Sequence, residues 1–270
     1  MSEVVLSGKF DDLRTIHFRW LQEASGYGRV TIALWSDALI ERLAGAAPKF
    51  PAAERRYFLE ALRYVDTVTV IDELASADEL PLDALARPAV WVVCDRQINA
   101  VKAAYCQAQG IRLVHLPDTA LTGFPLPPPA PPTGRPKVIV TGCYDWFHTG
   151  HVRFFEECAE HGELYVAVGN DANVRLLKGD GHPMFSEDER RYQAASIRWV
   201  HQALVTSGSG WMDAAPDIER LRPDIYIVNE DGDKPDKQAF CREHGLDYRV
   251  LHRAPKAGLP RRESTTLRGF

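Results

Sequence analysis

The residues most able to do chemistry lie in one decapeptide, GCYDWFHTGH, running from Gly142 to His151. It follows a short apolar run, Val138–Thr141, and opens a stretch with helical periodicity. Two imidazoles three residues apart, His148 and His151, can both face the turn, and each can donate to a phosphate oxygen. Gly150 between them lets a ligand approach the backbone closely. The unpaired amides at the start of the following helix suit a polyphosphate. Together these groups suit attack on the α-phosphorus of a nucleotide, where negative charge has to be stabilised. Asp145 in the turn could orient an acceptor, a cation or the loop itself. A metal site from His148, His151 and Asp145 fits less well, because the spacing is not that of an HExxH helix and no further ligand stands at useful spacing.

Three other segments add polar groups. In LLKGDGHPMFSEDERR, Leu176 to Arg191, Lys178 sits in what reads as a mobile loop, from which it can swing onto a phosphate as a point charge. In RRESTTLRG, Ser264 and Thr265 precede a short helical stretch, where hydroxyls and amides can hold β- and γ-phosphates. In VNEDGDKPDKQAF, Glu230, Asp231 and Asp233 follow a strand. They read as contacts for a cationic acceptor, such as an amino-alcohol phosphate or aminoalkyl phosphonate, or as a solvated loop.

The elements that position these groups occur twice. Seven of the twelve residues from Pro125 to Pro136 are proline, which excludes a helix or central strand and reads as a stiff linker. On either side the sequence repeats. Gly8 matches Gly142, Asp11 matches Asp145, His17 matches His151 and Asp37 matches Asp171, all at a spacing of 134 residues. Later, ERRYFLEALRYVD at Glu54–Asp66 matches ERRYQAASIRWVH at Glu189–His201, one residue out of step. This is an internal duplication. It divides the chain into residues 1–122, a linker at 123–136, and residues 137–270.

Each copy alternates short buried strands with helices, which implies a parallel sheet covered on both faces. The expected fold class is therefore α/β, two tandem Rossmann-like doubly wound domains, each with its ligand site at the carboxyl ends of its strands. In the second copy strands are expected at Val138–Thr141, Leu164–Val168, Ala203–Val205, Ile225–Val228 and Tyr248–Leu251, and helices at His151–His161, Glu187–Ile197, Pro216–Arg222 and Lys234–His244.

The strand–G-x-Y-D-x-x-H-x-G-H arrangement, the lysine segment with its E-R-R helix and the Ser-Thr-Thr tail together resemble the cytidylyltransferase-like branch of the nucleotidyltransferase superfamily. The likeness covers residues 137–270 well and Val4–Leu116 in degenerate form. It implies that His148, His151 and Lys178 are catalytic and that Gly142, Cys143, Tyr144, Gly150, Arg198, Ser264, Thr265 and Thr266 contact the nucleotide. It implies that Asp145, Glu230 and Asp231 serve the acceptor. Mg²⁺ would be held mainly by the nucleotide phosphates, with Asp145 as its one candidate protein ligand. The implied reaction moves CMP from CTP to a small phosphorylated alcohol, amino-alcohol or phosphonate, releasing pyrophosphate. AMP transfer from ATP to a sugar phosphate is the alternative, and a non-catalytic nucleotide-binding module a reading of another class. Departures are Glu263 where isoleucine is usual, an early Arg268, and His201 where aspartate is usual.

In the first copy HTGH is replaced by Arg14-Thr15-Ile16-His17, no lysine matches Lys178, and the Ser-Thr-Thr tail is missing. That copy is expected to keep the fold without the chemistry. The tandem arrangement resembles ethanolamine-phosphate cytidylyltransferases, which implies an internal pseudo-dimer and allows a further homodimer.

Composition bounds the rest. The chain has 270 residues, 45% of them hydrophobic, enough for two cores. A net charge of −5 argues against bulk nucleic-acid binding. Five cysteines without a CxxC pair argue against a disulfide scaffold and for a reducing, cytoplasmic setting. No run reaches 18 apolar residues, so no membrane span is expected.

Overall fold

Strand-forming runs such as Val4–Leu6 and Val138–Val140 are buried along their whole length, as strands covered on both faces must be. The computed structural model describes residues 2–267. They form two compact units, Met1–Gly123 and Phe124–Phe270.

In the first unit, β1 (Glu3–Gly8), α1 (Thr15–Ser25), β2 (Arg29–Trp35), α2 (Asp37–Ala44), α3 (Ala52–Ala61), β3 (Thr67–Ile71), β4 (Val90–Cys94), α4 (Ala100–Gln109) and β5 (Arg112–Leu116) follow one another. The strands pair in the order β3-β2-β1-β4-β5, all parallel. The second unit carries β6 (Lys137–Gly142), α5 (Thr149–Glu160), β7 (Glu163–Val168), α6 (Asp171–Lys178), α7 (Glu187–Ala195), β8 (Val200–Val205), α8 (Ala215–Leu221), β9 (Ile225–Asn229), α9 (Pro235–Glu243), β10 (Asp247–Leu251) and α10 (Ser264–Leu267). Its order, β10-β9-β6-β7-β8, is the same topology read from the other edge, again all parallel. The chain is therefore two tandem Rossmann-like α/β domains. In each, the order reverses beside the first strand, between β1 and β4 and between β6 and β9, which opens a crevice at the strand ends.

The cores match as well. Val5, Ala33, Trp91 and Val93 pack with Leu39 and Cys106 in the first unit. Ile139, Ala167, Tyr226 and Val228 pack with Ile218 and Cys241 in the second. Strands and helices of the second unit fall where the sequence places them, within three residues at each end, apart from α6, which the sequence reading treats as loop. The proline-rich segment has no regular structure. It is laid along the second unit: the amide and hydroxyl of Thr133 both donate to Glu163, and Arg135 donates to the carbonyls of Ala159 and Glu160.

Candidate active site at the start of α5

The turn between β6 and α5 is built by its own side chains. His148 occupies the N-cap in extended backbone, and its Nδ1 accepts from the amide of Gly150 at 3.0 Å. Nδ1 of His151 accepts from the amide of His148 at 3.4 Å. Both imidazoles thus spend Nδ1 on the helix start, and a neutral ring then carries its proton on Nε2. The two rings stack with centroids 4.0 Å apart, and His151 is further held by Tyr144 and Phe147, each ring at 5.3 Å.

Gly150 is required by this arrangement. A Cβ there would stand 2.8–2.9 Å from the folded-back ring of His148 and 3.3 Å from the carbonyl of Arg262. Gly142 is similarly constrained, since a Cβ would come within 2.7 Å of the Tyr144 ring.

Burial pushes His148 down to about 3, helped by Arg253 and Arg262. Burial pushes His151 well below the ordinary histidine range too, helped by His148, Arg253 and Lys178. Both rings therefore rest neutral. His148 is only 4% exposed, and its Nε2 is buried with no hydrogen-bond partner. A buried donor without a partner costs about 1–3 kcal/mol, so this nitrogen is suited to a ligand acceptor such as a phosphate oxygen.

A cavity of about 260 Å³ opens beside the His151 ring at the ends of β6 and β9, and His148 and Gly150 do not line it. It brings together His151, Lys178, Ser264 and Asp231 with Gly142, Cys143, Tyr144 and Asp145, all expected from the sequence. Lys178 is not in a loop. It is the exposed last residue of α6, where a cation suits the helix C-terminus. Burial raises the Cys143 thiol, and Lys178 and Arg190 beside it pull the other way. Ser264 opens α10, and its hydroxyl donates to the carbonyl of Trp146 at 3.3 Å. The side chains of Thr265 and Thr266, and all of Arg268, lie outside the described residues.

Several expected roles change. Asp145 is 4% exposed, and its Oδ1 accepts from the amides of Met184 (2.7 Å) and Phe185 (3.1 Å), while Oδ2 lies 3.2 Å from His182. It ties the segment before α7 to the catalytic turn, so its carboxylate is committed to protein donors rather than to acceptor or cation. Among the described residues no three His, Cys, Asp or Glu side chains gather as a metal site. Glu230 pairs with His252 at 3.0 Å and Asp231 with Arg253 at 3.1 Å. Among the groups lining the cavity, Lys178, Lys237 and Arg253 outnumber Asp145 and Asp231, so the site favours an anion over a cationic acceptor. Arg198 stands in the turn preceding β8, at the amino ends of the strands, and does not line the cavity. A position on the wrong edge of the sheet removes it from the nucleotide site.

Sequence reading missed three groups. Arg190 is fully buried and donates to the carbonyls of Phe185 (2.9 Å) and Cys143 (2.7 Å) and to Asp171 (2.7 Å), pinning α6, α7 and the catalytic turn together. Its match to Arg55 in the repeated ERRY was the available signal. Arg253 and Lys237 carry no motif.

Comparison with known proteins agrees with this geometry. The cytidylyltransferase-like family model matches residues 139–252. The FAD synthase of Aciduliprofundum boonei is 33% identical over 118 residues, which cover 43% of this chain and 76% of that protein. The chain belongs to the cytidylyltransferase-like family. Bifunctional HldE proteins also match: that of Syntrophotalea carbinolica is 32% identical over 36% of this chain and 20% of its own length. That of Azotobacter vinelandii is 33% identical over 49% of this chain and 27% of its own length. The chain thus spans about a quarter of the HldE proteins it matches. As a cytidylyltransferase-like protein it is of nucleotidyltransferase type. The relatives nevertheless overturn the expected donor: an FAD synthase builds an adenine dinucleotide, and neither it nor the HldE proteins support CTP or an ethanolamine-phosphate enzyme. Among the described residues no helix is long and apolar enough to cross a membrane.

Proposed function

We propose that the second unit is an adenylyltransferase that moves AMP from ATP to a small phosphorylated acceptor, such as a sugar phosphate, and releases pyrophosphate. The observation that carries this reading is the pair of neutral, Nε2-protonated imidazoles beside a cavity ringed by Lys178, Arg253 and Lys237. The similarity to an FAD synthase supports adenine as the base.

In this mechanism a phosphate oxygen of the acceptor attacks the α-phosphorus of ATP. The new P–O bond forms as the bond to the β-phosphate oxygen breaks, and the electron pair leaves with pyrophosphate. A phosphate dianion is already nucleophilic, so catalysis is positioning and charge stabilisation. His148 and His151 donate through Nε2 to the charged oxygens at the α-phosphorus. Lys178, reaching from the end of α6, holds phosphates as a point charge. Asp145 and Arg190 position the turn without touching substrate. Among the described residues no carboxylate cage for Mg²⁺ is present, and an ion serving this reaction would be carried by the nucleotide phosphates.

Pyrophosphate release from ATP with a panel of sugar phosphates tests the proposal. His148→Ala and His151→Ala should each lower turnover about 100- to 1,000-fold with circular dichroism unchanged. Normal turnover by either variant, or turnover with CTP equal to that with ATP, would sink it.

A further inference from the structure

The first unit keeps a cavity where the second has its candidate active site. It lies at the ends of β1 and β4, measures about 220 Å³, and is lined by Phe10, Ile16, His17, Trp20, Arg96 and Asp118 among others. Its position is the ligand crevice of this topology.

The groups that would draw a polyphosphate are absent or already engaged. Arg14 stands where His148 stands in the second unit, and it pairs with Asp12 at 3.0 Å. Lys49 pairs with the same carboxylate at 3.3 Å. Ile16 replaces Gly150, so a branched side chain stands at the start of α1 where the second unit has none. Lys178 has Ala44 as its counterpart at the end of α2.

The rest of the cavity wall is flat and apolar. Phe10 and Trp20 stack with centroids 5.6 Å apart and planes 15° from parallel. Ile16 and Leu121 complete the wall. The polar part is small and mixed. His17 Nδ1 accepts from the amide of Arg14 at 3.0 Å, which leaves Nε2–H as a donor. Burial keeps that ring neutral. Lys9 and Arg96 are balanced by Asp11 and Asp118 among the lining residues, and both oxygens of Asp11 already accept from the amides of Lys49 and Phe50. Donors (His17, Arg96) and an acceptor (Asp118) thus accompany an apolar wall, with no net charge to neutralise.

We propose that the first unit binds a neutral planar heterocycle with a mixed donor–acceptor edge, a nucleobase or nucleoside, in this cavity. Flat walls take the ring, and the mixed edge takes its amide-like or amino groups. A nucleoside triphosphate is disfavoured there, because Asp12 holds Arg14 and Lys49 and the lining carries as many carboxylates as cations.

The test uses the full chain, with adenosine and guanosine as probes and ribose as the control without a base, followed by calorimetry or saturation-transfer NMR in saturating ATP. One of the nucleosides is expected to bind while ATP is present, and ribose is not. Ile16→Trp, which fills the cavity from a partly exposed position, should abolish that binding. Arg96→Gln, at an exposed residue whose loss leaves the fold intact, should weaken it about tenfold. Leu176→Ala, at an exposed position of the second unit, should leave it unchanged. The proposal is overturned if neither nucleoside binds at millimolar concentration, if ATP displaces the bound nucleoside, or if both Ile16→Trp and Arg96→Gln bind as the parent does.

Discussion

The starts of α1 and α5 are the same turn with different contents. In both, the residue at the fourth position of the motif, His17 or His151, accepts through Nδ1 from the amide of the N-cap residue. In both, an aspartate, Asp11 or Asp145, collects two amides from the segment before the next-but-one helix. In both, a buried arginine, Arg55 or Arg190, holds three chain segments through corresponding bonds: to Phe50 O, Lys9 O and Asp37, or to Phe185 O, Cys143 O and Asp171. The differences that bear on phosphate include Arg14 for His148, Ile16 for Gly150, Ala44 for Lys178 and the missing Ser-Thr-Thr segment. Most of what a motif search would score as a catalytic signature is therefore scaffold, and the part that meets phosphate comes down to a few side chains.

The largest effect should come from breaking a shared pin. Arg190→Leu strands the carboxylate of Asp171 and two carbonyls, and should lower the stability of the second unit by about 3–5 kcal/mol. Arg55→Leu should cost the first unit a similar amount. Denaturant titration of both variants measures this, and a silent Arg55→Leu would mean that the two arginines are not equivalent.

Next comes an exchange of the distinguishing residue. Gly150→Ile places a branched side chain against the His148 ring and should cut kcat/KM for ATP about 100-fold or more. The reverse change, Ile16→Gly, should add no turnover even when combined with Arg14→His, because no lysine stands at Ala44. Activity gained by that double variant would show that the two residues alone separate the units.

The smallest effect is a difference in acid sensitivity. Burial depresses both His148 and His151 in the second unit and only His17 at the matching turn of the first. Below pH 6.5 the unfolded chain takes up protons that these rings refuse, so stability is complete above that pH and falls as pH drops, for His148 down to about 3. Each such ring contributes about 1.4 kcal/mol per pH unit in that window. The second unit should therefore lose stability more steeply between pH 6.5 and 5, and His148→Asn should flatten its slope. Parallel slopes for the two units would contradict the neutral-ring geometry.

The duplication, the strands and the turn between β6 and α5 were legible because each is local: apolar runs of four to six residues, a glycine between two histidines, matches at a fixed spacing. The helix α6 escaped because Asp171–Lys178 is short and largely solvent-facing, with only Asn173 and Val174 buried, so its periodicity is weak. Asp145 looked like a substrate ligand because nothing near it in sequence tells that Met184 and Phe185, some forty residues on, will send it their amides. Glu230 and Asp231 looked available for the same reason, since His252 and Arg253 reach them only once β9 and β10 pair. Arg198 failed on topology: a residue before a strand cannot reach a site at the strand ends.

One feature at the catalytic turn makes ligand and fold inseparable. Nε2 of His148 is buried, so a hydrogen bond from it to a ligand oxygen forms in a dry setting and counts for more than one made in water. A ligand held there stabilises the folded unit by mass action, and the thermal stability of the unit becomes a gauge of occupancy.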